Sequence, residues 1–189
     1  MKSVAVFVGS LRRDSINRKF AHSVARLASD RLRFHFVDIG DLPLYNDDLW
    51  KDPPEAVLRL KQEVEAADAV LFVTPEYNRS FSPVIKNAID WGTRPWGKNS
   101  WATKPAAILG AAPGVLGTAG AQNALKGLLT VCDMALMGQP EVYFTYKPEF
   151  FNESGELVDP RTRDFMNTWV ERFTRWIART AEPRNQVSE

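Results

Sequence analysis

Val4–Val8 is an uninterrupted apolar run, and it ends in Gly9-Ser10-Leu11-Arg12-Arg13-Asp14-Ser15-Ile16-Asn17, after which the apolar residues take up helical spacing. A short β-branched run, a glycine, hydroxyl and cationic residues, then a helical pattern describe a strand emptying into a helix N-terminus. Backbone N–H groups at such a terminus have no partner inside the helix, and the helix dipole favours an anion there. Ser10 and Ser15 offer hydroxyls, Asn17 an amide, and Arg12 a planar charged fork suited to phosphate. The stretch reads as a phosphate cradle. It also reads, less specifically, as an ordinary helix cap with solvated arginines.

What the stretch lacks narrows the ligand. There is no G-x-x-x-x-G-K-[ST] and no G-x-G-x-x-G, so neither a P-loop nucleotide site nor the usual dinucleotide fingerprint is expected. Hydroxyls and one guanidinium suit a single terminal monophosphate, of the kind FMN carries. A chain of 189 residues suffices for one domain with a sizeable core, expected over 1–181 with a polar tail over 182–189. The 24 basic residues nearly balance the 23 acidic ones and are scattered, which gives no support to a nucleic-acid-binding face. One cysteine, Cys132, excludes an internal disulfide, and two histidines leave little for a metal site. No apolar run reaches membrane-spanning length and the N-terminus has no signal-peptide layout, so a cytoplasmic protein is expected.

Further along, helical spacing is expected over 17–29, 55–67, 84–91, 119–137 and 164–180. Strands are expected over 33–38, 68–73, 106–109 and 142–144. Cys132 falls inside the fourth helix as a small buried hydrophobe, and His22 lies off the apolar stripe of the first. The final helix carries Phe165, Trp169, Phe173 and Trp176 on one stripe, with Met166, Val170 and Ile177 beside it. The connection 39–54 is either a solvated loop or a rim presenting Leu44, Tyr45, Leu49 and Trp50 to a partner chain.

Alternating strands and helices specify a doubly wound α/β domain with helices on both faces of a parallel sheet. Five strands in this length point to the flavodoxin-like order 2-1-3-4-5, whose crevice opens at the carboxyl ends of strands one and three. The loops 9–17, 74–82 and 110–117, each singled out by composition, then meet at one end of the sheet.

Gly-Ser-Leu-Arg-x-x-Ser-x-Asn at 9–17, Pro-Glu-Tyr-Asn-x-Ser at 75–80 and Lys-Asn-Ala-Ile-Asp-Trp at 86–91 resemble the NAD(P)H-dependent FMN reductase family, most of all its bacterial chromate, quinone and ferric reductases. The resemblance covers nearly the whole chain. It implies that Ser10, Arg12, Ser15 and Asn17, with the backbone of Ile16, hold the FMN phosphate. It implies that Pro75, Glu76, Tyr77 and Asn78 line the isoalloxazine and ribityl through main-chain groups. Ala111, Ala112 and Gly114 would let backbone approach the ring. The family is typically dimeric or tetrameric, which implies that Asp90 and Arg94 reach toward the partner's flavin. Gly120 and Asn123 stand where some relatives carry an Arg and a Tyr in inter-subunit contacts, which weighs against a tetramer built on those residues.

Flavin carries redox chemistry, so the protein needs to bind, orient and tune more than to supply an acid or base. No catalytic side chain is expected. Arg79 and Arg94 are candidates for meeting the nicotinamide donor or an anionic acceptor, and each also reads as a solvated surface arginine. Tyr77 reads also as a turn aromatic, and Glu76 as a cap on the helix that follows it. The leading expectation is a homo-oligomeric FMN enzyme taking hydride from NADH or NADPH. It would reduce small-molecule acceptors such as quinones, chromate or ferric complexes by a ping-pong route. A flavodoxin-like electron carrier or redox sensor, or a reductase that releases reduced FMN, are the alternatives.

Overall fold

A computed structural model describes residues 1–180; the expected polar tail lies outside the described residues. Four strands, β1 (Lys2–Val8), β2 (Leu32–Phe36), β3 (Ala69–Val73) and β4 (Pro105–Ala112), form a parallel sheet in the order β2-β1-β3-β4. Every residue of β3 is buried, as an apolar run covered on both faces requires. Helices α1 (Ile16–Leu27) and α5 (Pro160–Thr180) cover one face. Helices α2 (Glu55–Ala66), α3 (Pro83–Gly92) and α4 (Ala119–Val131) cover the other. The result is the flavodoxin-like doubly wound fold.

The fifth strand differs from expectation. It is split into β5 (Ala135–Leu136), beside Pro105 and Ala106, and β6 (Tyr143–Thr145), beside Gly110–Ala112. The apolar residues Leu128, Cys132 and Leu136 fall four apart, so a helix through Met137 is what their spacing suggests. The chain instead leaves α4 at Val131, and Asp133 turns with φ 58 while its carbonyl accepts from the Thr103 N–H at 2.7 Å. Leu136 thereby returns to the sheet, and Pro140, without an N–H, lies in the gap between the two fragments. Cys132 caps the helix rather than sitting inside it, but it is buried, and burial pushes its thiol pKa up.

Pairing with β6 also extends β4 three residues past the expected Leu109, so Gly110, Ala111 and Ala112 are strand, not loop. In α5 the buried stripe is Met166, Trp169, Val170, Phe173 and Ile177, leaving Phe165 43% exposed. His22 is on the surface as expected and stacks on Phe36. Of the apolar residues in the 39–54 connection, only Leu44 is exposed; Tyr45, Leu49 and Trp50 pack on the core. Asn87 and Trp91 of α3 strap that connection down. Asn87 accepts from the Tyr45 N–H at 2.8 Å, and Asn87 and Trp91 donate to the Pro43 carbonyl at 2.9 and 2.8 Å.

Candidate functional site

Parallel strands place the loops after β1, β3 and β4 at one end of the sheet. Their contact is close: a Cβ on Gly9 would stand 2.7 Å from Ile85 and 2.8 Å from Ser82, so no larger residue fits between the first loop and the start of α3. Gly110 is tighter still, since a Cβ there would meet the Thr118 hydroxyl at 1.9 Å.

In the first loop, Ser15 caps α1 by accepting from the Arg18 N–H at 3.2 Å, which leaves its own hydroxyl hydrogen free to donate. The N–H groups of Ile16 and Asn17 have no acceptor among the described residues. Ser10, Ser15 and Asn17 are buried, whereas Arg12 is exposed and has no ion-pair partner among the described residues. Within 10–19, the exposed cations Arg12, Arg13, Arg18 and Lys19 outnumber the one carboxylate, Asp14. Two open amides, a free hydroxyl and an exposed guanidinium at a helix N-terminus fit a phosphate group well.

The Asn17 side chain has another task. Its Oδ1 accepts from the Ala111 N–H at 2.8 Å and its Nδ2 donates to the Ala111 carbonyl at 2.9 Å. This bidentate pair binds the start of α1 to β4. One Nδ2 hydrogen remains for a ligand.

The loop after β3 closes as a two-residue hairpin, with Tyr77 and Ser80 exchanging backbone hydrogen bonds of 2.9 and 3.0 Å. Asn78 (φ 51) and Arg79 (φ 66) occupy the left-handed region that such a turn demands. Pro75 is buried, and Tyr77, Asn78 and Arg79 are exposed. Glu76 does not cap the helix that follows it; Ser82 does, accepting from the Val84 N–H. Glu76 instead accepts from the Ala121 N–H in the first turn of α4 at 3.1 Å, and Arg79 lies 3.4 Å away on its other oxygen. Glu76, Asn78 and Arg79, together with Ala112, Gly114 and Leu116, line an open groove of ≈ 440 Å³.

Three contributors went unread in the sequence. The Thr74 hydroxyl accepts from the Ser82 N–H at 3.3 Å, which pins the ends of the β3 loop together. Gln122 donates to the Thr118 hydroxyl at 2.9 Å and to the Val142 carbonyl at 2.7 Å, which fixes the β4 loop against β6. The only trace of this in the sequence is the four-residue spacing of Thr118 and Gln122.

Asp90 and Arg94 are not brought to this crevice. Asp90 pairs with Lys86 at 2.6 Å, about 12 Å along α3 from its cap. The Arg94 guanidinium lies 5.6 Å from the Trp96 ring. Both line a separate groove of ≈ 550 Å³ with Trp96, Leu128 and Val131, between the far ends of α3 and α4.

The family model of NADPH-dependent FMN reductases matches residues 2–149. The chain is 46% identical over 174 residues to a 2-hydroxy-1,4-benzoquinone reductase of a Burkholderia species, covering 92% of this chain and 95% of that protein. It is 47% identical over 176 residues to a quinone reductase of Pseudomonas putida, covering 93% and 94%. Among solved structures it is similar to FerB, a flavoenzyme NAD(P)H:(acceptor) oxidoreductase from Paracoccus denitrificans. That match has a TM-score of 0.94 and 51% identity, and covers 95% of this chain and 99% of the other. The chain belongs to the NADPH-dependent FMN reductase family.

Proposed function

We propose that this protein is an FMN-dependent NAD(P)H:acceptor oxidoreductase that reduces quinones and, through the same open seat, chromate, ferric complexes or similar acceptors. The observation that carries the reading is the convergence of an anion-ready helix terminus with the Pro75–Ser80 and Ala112–Gly117 walls. Ser10, Arg12 and the Ser15 hydroxyl hold the phosphate with the backbone amides of Ile16 and Asn17. Glu76 and Asn78, with the small residues Ala112 and Gly114, line the ribityl and ring, while Ala111, its backbone taken by Asn17, lies behind them. When bound, FMN supplies a reversible two-electron centre, and the chain's own work is binding, orienting and excluding water. Arg79, exposed at the groove, meets the charged part of a donor or acceptor.

The reading includes a cytoplasmic homodimer. Trp96 and Val131, 88% and 84% exposed, border the Asp90–Arg94 groove at the ends of α3 and α4 remote from the crevice. The family resemblance implies a two-fold interface near α3, and such an axis would carry that groove toward the partner's crevice. No helix among the described residues is long and apolar enough to cross a membrane. A single cysteine suits a compartment where disulfides do not persist.

An absorbance spectrum of the purified protein, followed anaerobically on adding NADH and then NADPH, tests the proposal. A flavin spectrum that bleaches within seconds supports it. A flavin spectrum that neither donor bleaches assigns the protein to the electron-carrier class, and a protein that binds no FMN after reconstitution removes the reading.

A further inference from the structure

We propose that Glu76 is a positioning residue of the ring seat: its carboxylate clamps the β3 loop to the start of α4 and sets a fixed negative charge in the groove wall. This rests on the FMN reading above. Helix α4 has no cap of its own, because the hydroxyl of its N-cap residue Thr118 accepts from no backbone N–H of the helix and is engaged instead by the Gln122 side chain, one turn into α4. Glu76, from the other wall, fills that role on the Ala121 N–H. The chain leaves room for it at Gly120, where a Cβ would stand 3.1 and 3.2 Å from the two carboxylate oxygens. The Glu76 side chain is only 12% exposed, and Arg79, its ion-pair partner among the described residues, is 76% exposed.

Two consequences follow for a flavin in this groove. The two walls are joined by one charge-assisted bond, so ring binding depends on it. The positive end of α4 is answered by a carboxylate and does not favour a negatively charged ring, which keeps the flavin potential low.

The test uses Glu76→Gln, which keeps an acceptor for Ala121 without the charge, and Glu76→Ala, which removes both. In the apo-protein, exchange of the Ala121 amide should match the parent in E76Q and run at least about tenfold faster in E76A. FMN affinity should stay within about threefold in E76Q and fall about tenfold in E76A. The FMN midpoint potential of E76Q should move to a more positive value. A parental potential in E76Q overturns the charge assignment, and parental Ala121 exchange with parental FMN affinity in E76A overturns the clamp. A parent protein that binds no FMN defeats the functional reading instead, while the exchange comparison still decides the clamp.

Discussion

Asn17 and Glu76 each fasten a crevice loop to backbone far along the chain, but they do so with opposite chemistry. Asn17 is 3% exposed and neutral, and it exchanges two hydrogen bonds with the buried Ala111. Glu76 is charged, lies at the edge of an open groove, and makes one backbone bond of 3.1 Å. A buried, doubly bonded amide pair is rigid, because leaving either partner unpaired in a low dielectric is costly. A charged bond beside solvent is screened and gives more readily. The phosphate end of an FMN site holds the same group through every turnover and profits from a fixed cradle. The ring end admits donor and acceptor in turn and profits from walls that adjust.

The largest effect should therefore come from the buried clamp. Asn17→Ala leaves both polar groups of Ala111 unpaired, at about 2–4 kcal/mol in total. For a domain of this size that is a fall in melting temperature of roughly 5–15 °C in the apo-protein, read by calorimetry or circular dichroism. A melting temperature equal to the parent's would mean that the two sides of the crevice are held equally loosely. Arg12→Ala separates binding from holding. It should weaken FMN binding by about 1.5–3 kcal/mol, measured by fluorescence titration, and leave the apo-protein's melting temperature alone, since Arg12 is exposed and has no ion-pair partner among the described residues. Unchanged FMN affinity would take Arg12 out of the cradle.

A second charged knot, at the opposite end of the sheet, calibrates what such bonds are worth away from any ligand. Asp68 accepts from Lys2 at 2.8 Å, from the Ser3 N–H at 2.8 Å and from the Ser3 hydroxyl at 3.0 Å, tying the entry of β3 to that of β1. These bonds, the one from Lys2 foremost, hold its carboxyl pKa down to about 2. Because the folded value is depressed, the stabilisation is complete above the unfolded pKa of about 4 and is lost as pH falls through about 2. The side chain is 33% exposed, and after screening Asp68→Asn should cost about 1 kcal/mol at neutral pH. Urea titrations should show the gap between parent and variant shrinking below about pH 4 and closing as pH falls through about 2. A gap that persists into acid would assign the loss to packing instead of charge.

Much of this architecture was legible because parallel strands buried on both faces must be written as apolar runs. Val4–Val8 and Ala69–Val73 leave no alternative. The cradle was legible for a local reason too, since a cap and an anion site draw on the same few residue types next to a strand end. The split of the fifth strand was not, because four-residue spacing of Leu128, Cys132 and Leu136 mimics a helix and only the pairing with β4 breaks it. Nor were the two clamps. Asn17 finds Ala111 and Glu76 finds Ala121 through the fold, and in each case the acceptor or donor is backbone, which carries no side-chain signature. In the ring wall, Glu76 was visible as a motif residue while its task was invisible.

The smallest expected effect sharpens the contrast most, because it sets stability against use at one residue. Arg79 holds φ 66 in the hairpin turn, a conformation that disfavours any residue with a Cβ. Arg79→Gly removes that strain, and after the extra chain entropy that glycine brings to the unfolded state the gain should be about 0.5–1 kcal/mol. Its ion pair with Glu76, at 3.4 Å and largely in solvent, subtracts little. The variant should melt a few degrees higher, by roughly 1–3 °C, and keep its FMN, while its Michaelis constant for the nicotinamide donor rises. A higher melting temperature with unchanged kinetics would make Arg79 an ordinary surface residue in a strained turn. A rise in both would show that the adjustable wall keeps a strained arginine because its guanidinium meets the donor, whereas the rigid cradle needs no such compromise.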